Sequence, residues 1–525
     1  MKKAIRNLCI AALSVALLLC PLAGCSVSMG AEEGNLTIMY YDGSFGNQWL
    51  QNAANAFKAK KAAEGVEIKV TLIGDTNVGT TAAAQLGSEQ NLSDIYMLQS
   101  LSNFVDLVAQ NKLEPLTDVY EAKVQTSNGE IAIKDYLLDD IKYQYYMQRV
   151  YGQGDYYPWA MPWSMQELGF VYNENILLAT QHTTAKAGAW EAGDLWTAPP
   201  ATIEELVAYC DDLKSPTNGS KTPFVFAGGT DSHWFRCLMQ VWWAQYQGAR
   251  EINTLNITEA DNDKEYGSYY DFFNFKSLDV MKQEGIKKGV DVVKEIFFHT
   301  NGAWKNSTSS VESYTVQDAA RQFVLQEAAM IIGGSFMYND VIDYIQDGMV
   351  FKMMNLPVIE NAQQDASGNT LTMNYFSCED CWIVPRKATN KGLAKEFLAF
   401  LCSEERIVDF VKLTGTIRPF KCDVKEVVGS EYDEIFNFYT KSCLESYAQT
   451  DVAISSLAAG IEPSDRTIMS IYKINEIKLN GTSSYPWLTF FKDLKTTDST
   501  TLMNNAYVRA LPDWNKWLAE YGIAG

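Results

Sequence analysis

The fold class of this chain follows from residues 36–40, Leu-Thr-Ile-Met-Tyr, which open a repeating alternation of strands and helices. A glycine-rich turn, Asp42-Gly43-Ser44-Phe45-Gly46, comes next, and then a segment with Trp49, Ala53 and Phe57 on one helical stripe. A strand that ends in a glycine turn and leads into an amphipathic helix is the first unit of an α/β layer.

The next segments repeat the same order. Apolar residues that alternate with polar ones predict the second strand: Val66, Ile68, Val70 and Leu72. The third strand is predicted at residues 94–98, ahead of a helix that carries Phe104, Val105 and Val108. Strands and helices at this spacing predict an α/β fold with a largely parallel sheet.

Similar units continue toward the carboxyl end. Residues 168–172 and 328–334 read as apolar strands, and Thr202 with Glu205 forms the sequence pattern of a helix capping box. Near residue 390 a helix begins with Leu393, Phe397 and Leu401 in register, and a further helix is predicted to end before Gly415.

The amino-terminal segment carries a targeting pattern. Lys2, Lys3 and Arg6 precede an apolar run of roughly a dozen residues, which is typical of a secretory signal peptide and too short for a comfortable membrane span. The run ends in Leu22-Ala23-Gly24-Cys25, which resembles the lipobox of bacterial lipoproteins. The alternative is a plain signal peptide with an incidental cysteine.

The lipobox interpretation predicts how the chain is anchored. Residues 1–24 would be removed, Cys25 would carry the lipid, and residues 25–35 would form a polar tether at the outer face of the cell membrane. More than one acyl chain gives stable anchoring, which a single chain does not. No later stretch approaches 18 uninterrupted apolar residues.

Composition limits the remaining functions. The formal charge is −21, and loss of the three signal-peptide cations takes it to −24, which argues against nucleic acid because phosphates favour a basic face. Seven cysteines would remain after processing and acylation, an odd number that argues against a disulfide scaffold. A lone Cys378-x-x-Cys381 pair is insufficient for a zinc site, so we expect neither a metal nor a cofactor.

Several ordered blocks are similar to the family 1 extracellular solute-binding proteins of ABC importers, relatives of the maltose-binding protein. The blocks are Ser93-Asp94-Ile95-Tyr96, Leu113-Glu114-Pro115-Leu116, Met161-Pro162-Trp163, Gly169-Phe170-Val171-Tyr172-Asn173, Ala328-Ala329-Met330, Gly334-Ser335-Phe336, Ile383-Val384-Pro385 and Arg418-Pro419. Each block is weak alone, but their order downstream of a lipobox is specific.

The resemblance implies two α/β lobes of the periplasmic-binding-protein type (type II), joined by a hinge, with one solute bound in the cleft between them. It also implies delivery of that solute to the permease subunits of an ABC transporter. On this basis lobe one comprises residues 36–155 and 382–428, and lobe two comprises residues 160–378 and 432–525. We expect a monomer that binds a carbohydrate, with an oligosaccharide favoured.

Sugar recognition requires aromatic faces for the C–H faces of the ring and polar groups for its hydroxyls. The turns of this chain supply both, and for Trp163 and Phe336 the matching family positions face the ligand. The predicted solute-binding residues are Asp42, Phe45, Trp159, Trp163, Glu167, Asp231, Trp234, Phe336, Asp380 and Arg418. Each has a structural alternative, in which an aromatic ring packs in a core or Arg418 closes an ion pair. Trp242 and Trp243 lie on helical stripes that favour the core.

Enzyme motifs are missing from the sequence. There is no Gly-x-Ser-x-Gly elbow, no His-Glu-x-x-His and no Gly-x-x-x-x-Gly-Lys loop. Two carboxylates suffice for a glycoside hydrolase, so that class stays an alternative. Within the binding class, a peptide or another polar solute is the alternative to a sugar.

Overall fold

The computed structural model describes residues 34–88, 91–99, 107–108, 110–138, 147–148, 157–228, 234–248, 269–271, 281–296, 314–378, 380–455, 493–494 and 496–520. The predicted signal peptide, Cys25, Phe104 and Asp231 lie outside these ranges. In the described parts of the chain, no helix is both long and apolar enough to cross a bilayer.

The elements of the first part of the chain alternate as predicted. They are β1 (Asn35–Tyr41), α1 (Gln48–Ala63), β2 (Lys69–Asp75), α2 (Val78–Gly87), β3 (Ile95–Leu98), α3 (Thr117–Glu121), β4 (Lys123–Thr126), β5 (Gly129–Ala132), α4 (Ile133–Tyr136), β6 (Met147–Gln148), β7 (Tyr157–Pro158) and β8 (Ala160–Pro162). The helical stripe of α1 is confirmed, since Trp49, Ala53 and Phe57 are all buried. Strand β2 starts later than predicted, and Val66 lies before it with 45% exposure.

The middle of the chain forms most of the second lobe. Its elements are β9 (Gln166–Asn173), α5 (Glu174–Ala179), α6 (Ile203–Lys214), a 3₁₀ turn (Pro216–Asn218), β10 (Thr222–Val225), α7 (Trp234–Gln247), β11 (Tyr269–Asp271), α8 (Glu284–Lys294), α9 (Val316–Val324), β12 (Ala328–Gly334), α10 (Met337–Val341), a 3₁₀ turn (Ile342–Tyr344), β13 (Phe351–Met354) and β14 (Met373–Ser377). Thr202 caps α6 as predicted, but the Glu205 carboxylate accepts from the backbone N–H of Ala201 and not from that of Thr202.

The last part of the chain returns to the first lobe before it ends in the second. It contains β15 (Cys381–Ile383), α11 (Lys391–Leu401), α12 (Glu404–Thr414), α13 (Val424–Val428), a 3₁₀ turn (Gly429–Glu431), α14 (Tyr432–Ile435), α15 (Phe438–Ala448), β16 (Val452–Ser455) and α16 (Ser499–Glu520). Helix α12 ends at Gly415, whose φ of 72° is the left-handed conformation that favours glycine.

Two separate sheets divide the molecule. The first has the order β2-β1-β3-β15-β8, with β1 parallel to β2 and β3, and β15 antiparallel to β3 and β8. The second has the order β10-β12-β9-β14-β16-β11, with β13 also paired to β9. Each sheet is covered by helices, so the α/β fold with two lobes is confirmed.

The pairing of β8 changes one predicted boundary. Residues 160–162 were expected in the second lobe, but Ala160 pairs with Ile383 and Pro162 with Cys381 in the first sheet. The chain therefore passes to the second sheet between β8 and β9, at residues 163–165.

Each lobe has its own apolar core. The first is built around Trp49, Phe57, Trp163, Phe397 and Phe410. The second includes the helix stripe that was predicted to be core, because Trp242 and Trp243 are each 1% exposed. Burial of side chains of this size contributes about 1.5–3 kcal/mol or more each to folding.

Candidate functional site

Three of the predicted residues meet where the two lobes face each other. Phe45 lies on the glycine turn after β1, and Phe336 lies directly beyond the end of β12. Their ring centroids are 5.8 Å apart, and the ring centroid of Trp234, the first residue of α7, lies 6.3 Å from that of Phe336. The glycine turn that carries Phe45 thus lies at the carboxyl end of the parallel strand β1, which is where α/β sheets bind ligands.

Two glycines allow Phe336 to fold back on its strand. A Cβ at Gly334 would lie 2.3 Å from the Phe336 ring, and one at Gly333 would lie 2.9 Å from the sulfur of Met337. Any larger residue at Gly334 would therefore displace the Phe336 ring, and one at Gly333 would displace the Met337 side chain.

A small pocket lies beneath these rings. It is lined in part by Ala227, Trp234, Gly334, Phe336 and Asp340, and its volume is about 10 Å³. That is room for about one water molecule. The pocket in this conformation is therefore too small for a sugar ring.

Trp163 does not line this pocket. The side chain is 0% exposed, and its indole N–H donates to the carbonyl oxygen of Leu98 at 3.0 Å. Trp49 stacks at 6.2 Å, and Phe45 packs edge-on at 5.0 Å. Trp163 was predicted to face the solute, but its ring is covered by the aromatic core of the first lobe.

Trp159 and Asp42 also differ from the predicted arrangement. Trp159 is 1% exposed and belongs to a buried cluster with Met165 and Ile383. Asp42 is exposed, and its backbone N–H donates to the carbonyl oxygen of Asp75. Only Asp42 of this pair is accessible to a solute in this conformation.

Asp380 joins two of the segments that cross between the lobes. Its carboxylate accepts hydrogen bonds from the Ser164 hydroxyl at 2.5 Å and from the Gln166 amide, and its carbonyl accepts from the N–H of Trp163. The residue is 3% exposed. The predicted ligand carboxylate therefore holds the crossing strands together.

Arg418 has a similar position on the third crossing segment. Its guanidinium donates to the carbonyl oxygens of Trp163 and Leu401 and lies 5.1 Å from the ring centroid of Phe420. Burial lowers the pKa of this guanidinium. Among the residues the structure describes, Arg418 forms no ion pair, so the ion pair considered as its alternative role is not observed.

Glu167 is buried inside the second lobe. The Ser446 hydroxyl donates to Oε1, while Oε2 has no hydrogen-bond partner among the described residues. Burial raises the pKa of this carboxyl to about 8. At neutral pH it is mostly the uncharged acid, and it faces α15 rather than the pocket.

Asp340 lines the same pocket and is not among the residues predicted from the sequence. It lies on α10, four residues beyond Phe336, and its carboxyl lines the pocket described above. Burial raises its pKa to about 6, and a hydrogen bond from Ser44 of the first lobe opposes that shift. An acid on a short helix has no sequence signal that separates it from an ordinary surface residue.

Comparison with known proteins identifies the family. Residues 52–436 match the bacterial extracellular solute-binding protein family. The chain belongs to this family. Among curated proteins, none matches the sequence.

Solved structures of solute-binding proteins share the fold. A chitin oligosaccharide binding protein has a TM-score of 0.58 at 14% identity, over 92% of this chain and 99% of its own. A cyclic α-maltosyl-1,6-maltose binding protein from Arthrobacter globiformis has a TM-score of 0.55 at 14% identity, over 93% and 100%. The solute-binding protein RafE in complex with raffinose has a TM-score of 0.53 at 14% identity, over 91% and 99%.

Family membership answers two questions that the sequence left open. The chain is an extracellular solute-binding protein, and the glycoside hydrolase alternative is set aside because this family binds solutes. Within the described ranges, no three His, Cys, Asp or Glu side chains are grouped to hold a metal ion.

Proposed function

We propose that this protein captures a carbohydrate, most favourably an oligosaccharide, between its two lobes and delivers it to the permease subunits of an ABC transporter. The observation that carries the proposal is that Phe336 contacts Phe45 of the first lobe and Trp234 of the second, and that Trp234, Phe336 and Asp340 line one pocket. Aromatic faces beside an acceptor are the pairing that sugar rings require.

The similar solved structures support the class of solute. They are a chitin oligosaccharide binding protein, a cyclic α-maltosyl-1,6-maltose binding protein and a protein in complex with raffinose. At identities near 14% these likenesses support a sugar as the class of solute without indicating a particular sugar.

The lobe division belongs to the same proposal. Lobe one comprises residues 36–155 together with β8, β15 and the segment from 384 to Phe436, which is buried in the first core, and lobe two comprises residues 166–378 and 437–525. The protein acts as a monomer, with Phe45 and the glycine turn on one lobe and Trp234 with Phe336 on the other.

Calorimetry with four purified sugars tests this function: raffinose, maltotetraose, chitin tetrasaccharide and galactose. We expect at least one to bind, and Trp234→Ala to weaken that binding about tenfold or more, because a half-buried indole at the pocket loses its ring contact. Thermal melting of the empty variant should change little.

Trp190→Ala is the matched control, since Trp190 lies in the second lobe and stacks on His182 at 4.3 Å. It should leave sugar affinity unchanged. A wild-type protein that binds peptides but none of the four sugars would favour the peptide alternative. If the sugar is shortened after long incubation, the protein is a glycoside hydrolase and the proposed function is wrong.

The anchor is tested separately. We propose that Cys25 carries the lipid that holds the protein at the outer face of the cell membrane, on the evidence of the lipobox-like residues 22–25. Cys25→Ala should prevent acylation, so the protein should no longer incorporate a labelled fatty acid. A variant that still labels and partitions with membranes as the wild type does would contradict this assignment.

A further inference from the structure

A second pocket lies on lobe one and shares no residue with the pocket at Phe336. Its volume is about 300 Å³, which is in the range of small-molecule sites. Among the described residues that line it, none is an acid and three are cations: Lys112, Arg386 and Lys387. The chain as a whole carries a formal charge of −21, so the positive charge of this pocket is a local exception. We call it the basic pocket.

Two segments of backbone hold these cations side by side. The N–H of Arg386 donates to the carbonyl oxygen of Lys112 at 2.8 Å. The N–H of Glu114 donates to the carbonyl oxygen of Val384, also at 2.8 Å. Asn111 leads into this pairing with a φ of 58°, a left-handed conformation that asparagine adopts more readily than most residues. The charged side chains therefore start from paired backbone.

The acid closest to Lys112 along the chain does not neutralise the basic pocket. Glu114 follows Lys112 by two residues, and its carboxylate pairs with Lys391 at 3.3 Å and with Lys395 at 3.5 Å. Both of these lysines lie outside the lining of the basic pocket. An incoming anion therefore does not have to displace Glu114.

The basic pocket lies at the end of the first sheet where the chain enters the fold. Strand β15 is antiparallel to β3, so the loop of residues 384–390 that follows it lies at the amino ends of β1 and β3. In this loop the side-chain amide of Asn390 donates to the carbonyl oxygen of Asn35 at 3.0 Å, and its oxygen accepts from the N–H of Gly34 at 3.2 Å. The Phe45 turn lies at the opposite, carboxyl end of β1.

The proposed anchor limits how far this end of the sheet can be from the bilayer. Residues 25–34 span at most about 30 Å when fully extended, at roughly 3.3–3.6 Å per residue. A lipid on Cys25 therefore keeps the amino end of β1 close enough to reach the membrane surface. Attraction between charges acts over about 8–10 Å at physiological salt, so the more distant acids of the chain oppose such a contact only weakly.

We propose that the basic pocket binds the phosphate group of an anionic lipid and so docks this end of lobe one on the membrane that holds the chain. Arginine and lysine bind phosphate through charge-assisted hydrogen bonds, and each cation near an anionic bilayer adds to the attraction. Docking leaves the Phe45 turn on the side away from the bilayer. The inference goes beyond sugar capture and rests on the proposed anchor at Cys25.

Hydrogen exchange of vesicle-bound protein tests the docking. A chain that begins at Cys25 retains every described residue, and its first thiol can be coupled to a maleimide lipid because the seven other cysteines are buried or partly buried. The test therefore needs no natural acylation. Amides of residues 110–112 and 384–390 should exchange several-fold more slowly on vesicles that contain phosphatidylglycerol than on vesicles of phosphatidylcholine alone.

Two double variants show whether the basic pocket causes this difference. Arg386→Gln with Lys387→Gln should lower the docked population about tenfold or more, because two of the three cations are lost. Both side chains are exposed, so the fold should be retained. Lys123→Gln with Lys425→Gln is the matched control, since it removes two exposed cations of lobe one outside the pocket and should keep the slow exchange. Equal exchange on the two lipids, or an equal loss in both double variants, would overturn the inference.

Inorganic phosphate, added to the uncoupled chain, separates a lipid site from a site for a free anion. We expect phosphate alone to leave the exchange of both segments unchanged. If it slows them as much as the phosphatidylglycerol vesicles do, the basic pocket is a free-anion site and the docking is wrong. Failure of Cys25 to incorporate a labelled fatty acid contradicts the anchor and removes the docking with it, whereas unchanged exchange on the vesicles contradicts the docking alone.

Discussion

Replacing Trp163 by alanine should lower the free energy of unfolding by about 3–5 kcal/mol, the cost of removing a fully buried tryptophan. The side chain is 0% exposed and packs among Phe45, Trp49 and Phe410 at centroid distances of 5.0, 6.2 and 6.1 Å. Its truncation leaves a cavity and also removes the donor to the Leu98 carbonyl. Both the lost packing and the lost hydrogen bond destabilise the folded state of lobe one.

Thermal melting of the empty protein measures this loss, at roughly 2–4 °C for each kcal/mol in a unit of 150–250 residues. Trp163→Phe should retain part of the stability because it keeps an aromatic ring in the same space. Trp234→Ala is the control, since that indole is only half-buried. If Trp163→Ala melts like the wild type but binds sugar poorly, the side chain is a ligand platform and the core assignment is wrong.

The sequence predicted the fold well because its signals are local. The alternation of residues 36–40, the glycine turn and the stripe of Trp49, Ala53 and Phe57 each depend on neighbours within one strand or one helix turn. Helix α12 ends before Gly415 as predicted, because the residue that follows its last turn has a positive φ, which glycine adopts easily. Strand β8 was misplaced because the partner that decides its sheet, β15, is more than 200 residues away in the sequence.

The site was predicted only in part, for the same reason. Phe45, Trp234 and Phe336 come together, but an aromatic residue in a turn has the same sequence signal whether its ring faces a cleft or a core. Trp163 is covered by Trp49 and Phe410, which are distant in the chain, so its burial was not predictable from its surroundings.

The contacts of two charged residues were not predictable either. Asp380, just before the strand at Trp382, and Arg418, after the helix end at Gly415, were predicted as solute-binding residues. The structure shows that their partners are Ser164, Gln166 and the carbonyl of Trp163, more than 200 residues earlier. Three segments that cross between two lobes create such contacts, and a single sequence does not reveal which charges satisfy them.

Glu167 gives the strongest expected dependence of stability on pH. The carboxyl is 3% exposed, and burial raises its pKa to about 8, whereas a glutamate in an unfolded chain titrates near 4.3. Ser446 donates to one oxygen, and the other has no partner among the described residues. The uncharged acid fits this site because its proton removes the cost of a buried anion.

The sign of the effect follows from proton counting. Between about pH 4.5 and pH 8 the folded state keeps the proton on Glu167, while the unfolded state has lost it. The contribution of Glu167 to the free energy of unfolding is therefore fully present below about pH 4.5. It falls as the pH rises toward 8 and does not change further above that pH. The slope approaches about 1.4 kcal/mol per pH unit, so the loss amounts to several kcal/mol.

Glu167→Gln should remove this dependence, because the amide is of similar size, stays neutral at every pH and keeps an oxygen that accepts from Ser446. Urea denaturation of the two proteins from pH 5 to pH 9 measures it. The stability of the variant relative to the wild type should rise with pH up to about 8 and then level off. Glu191→Gln, an exposed acid of the same lobe, should follow the wild type throughout. Parallel curves for Glu167→Gln and the wild type would mean that Glu167 is ionised in the folded protein, and that a donor reaches Oε2 which this structure does not show.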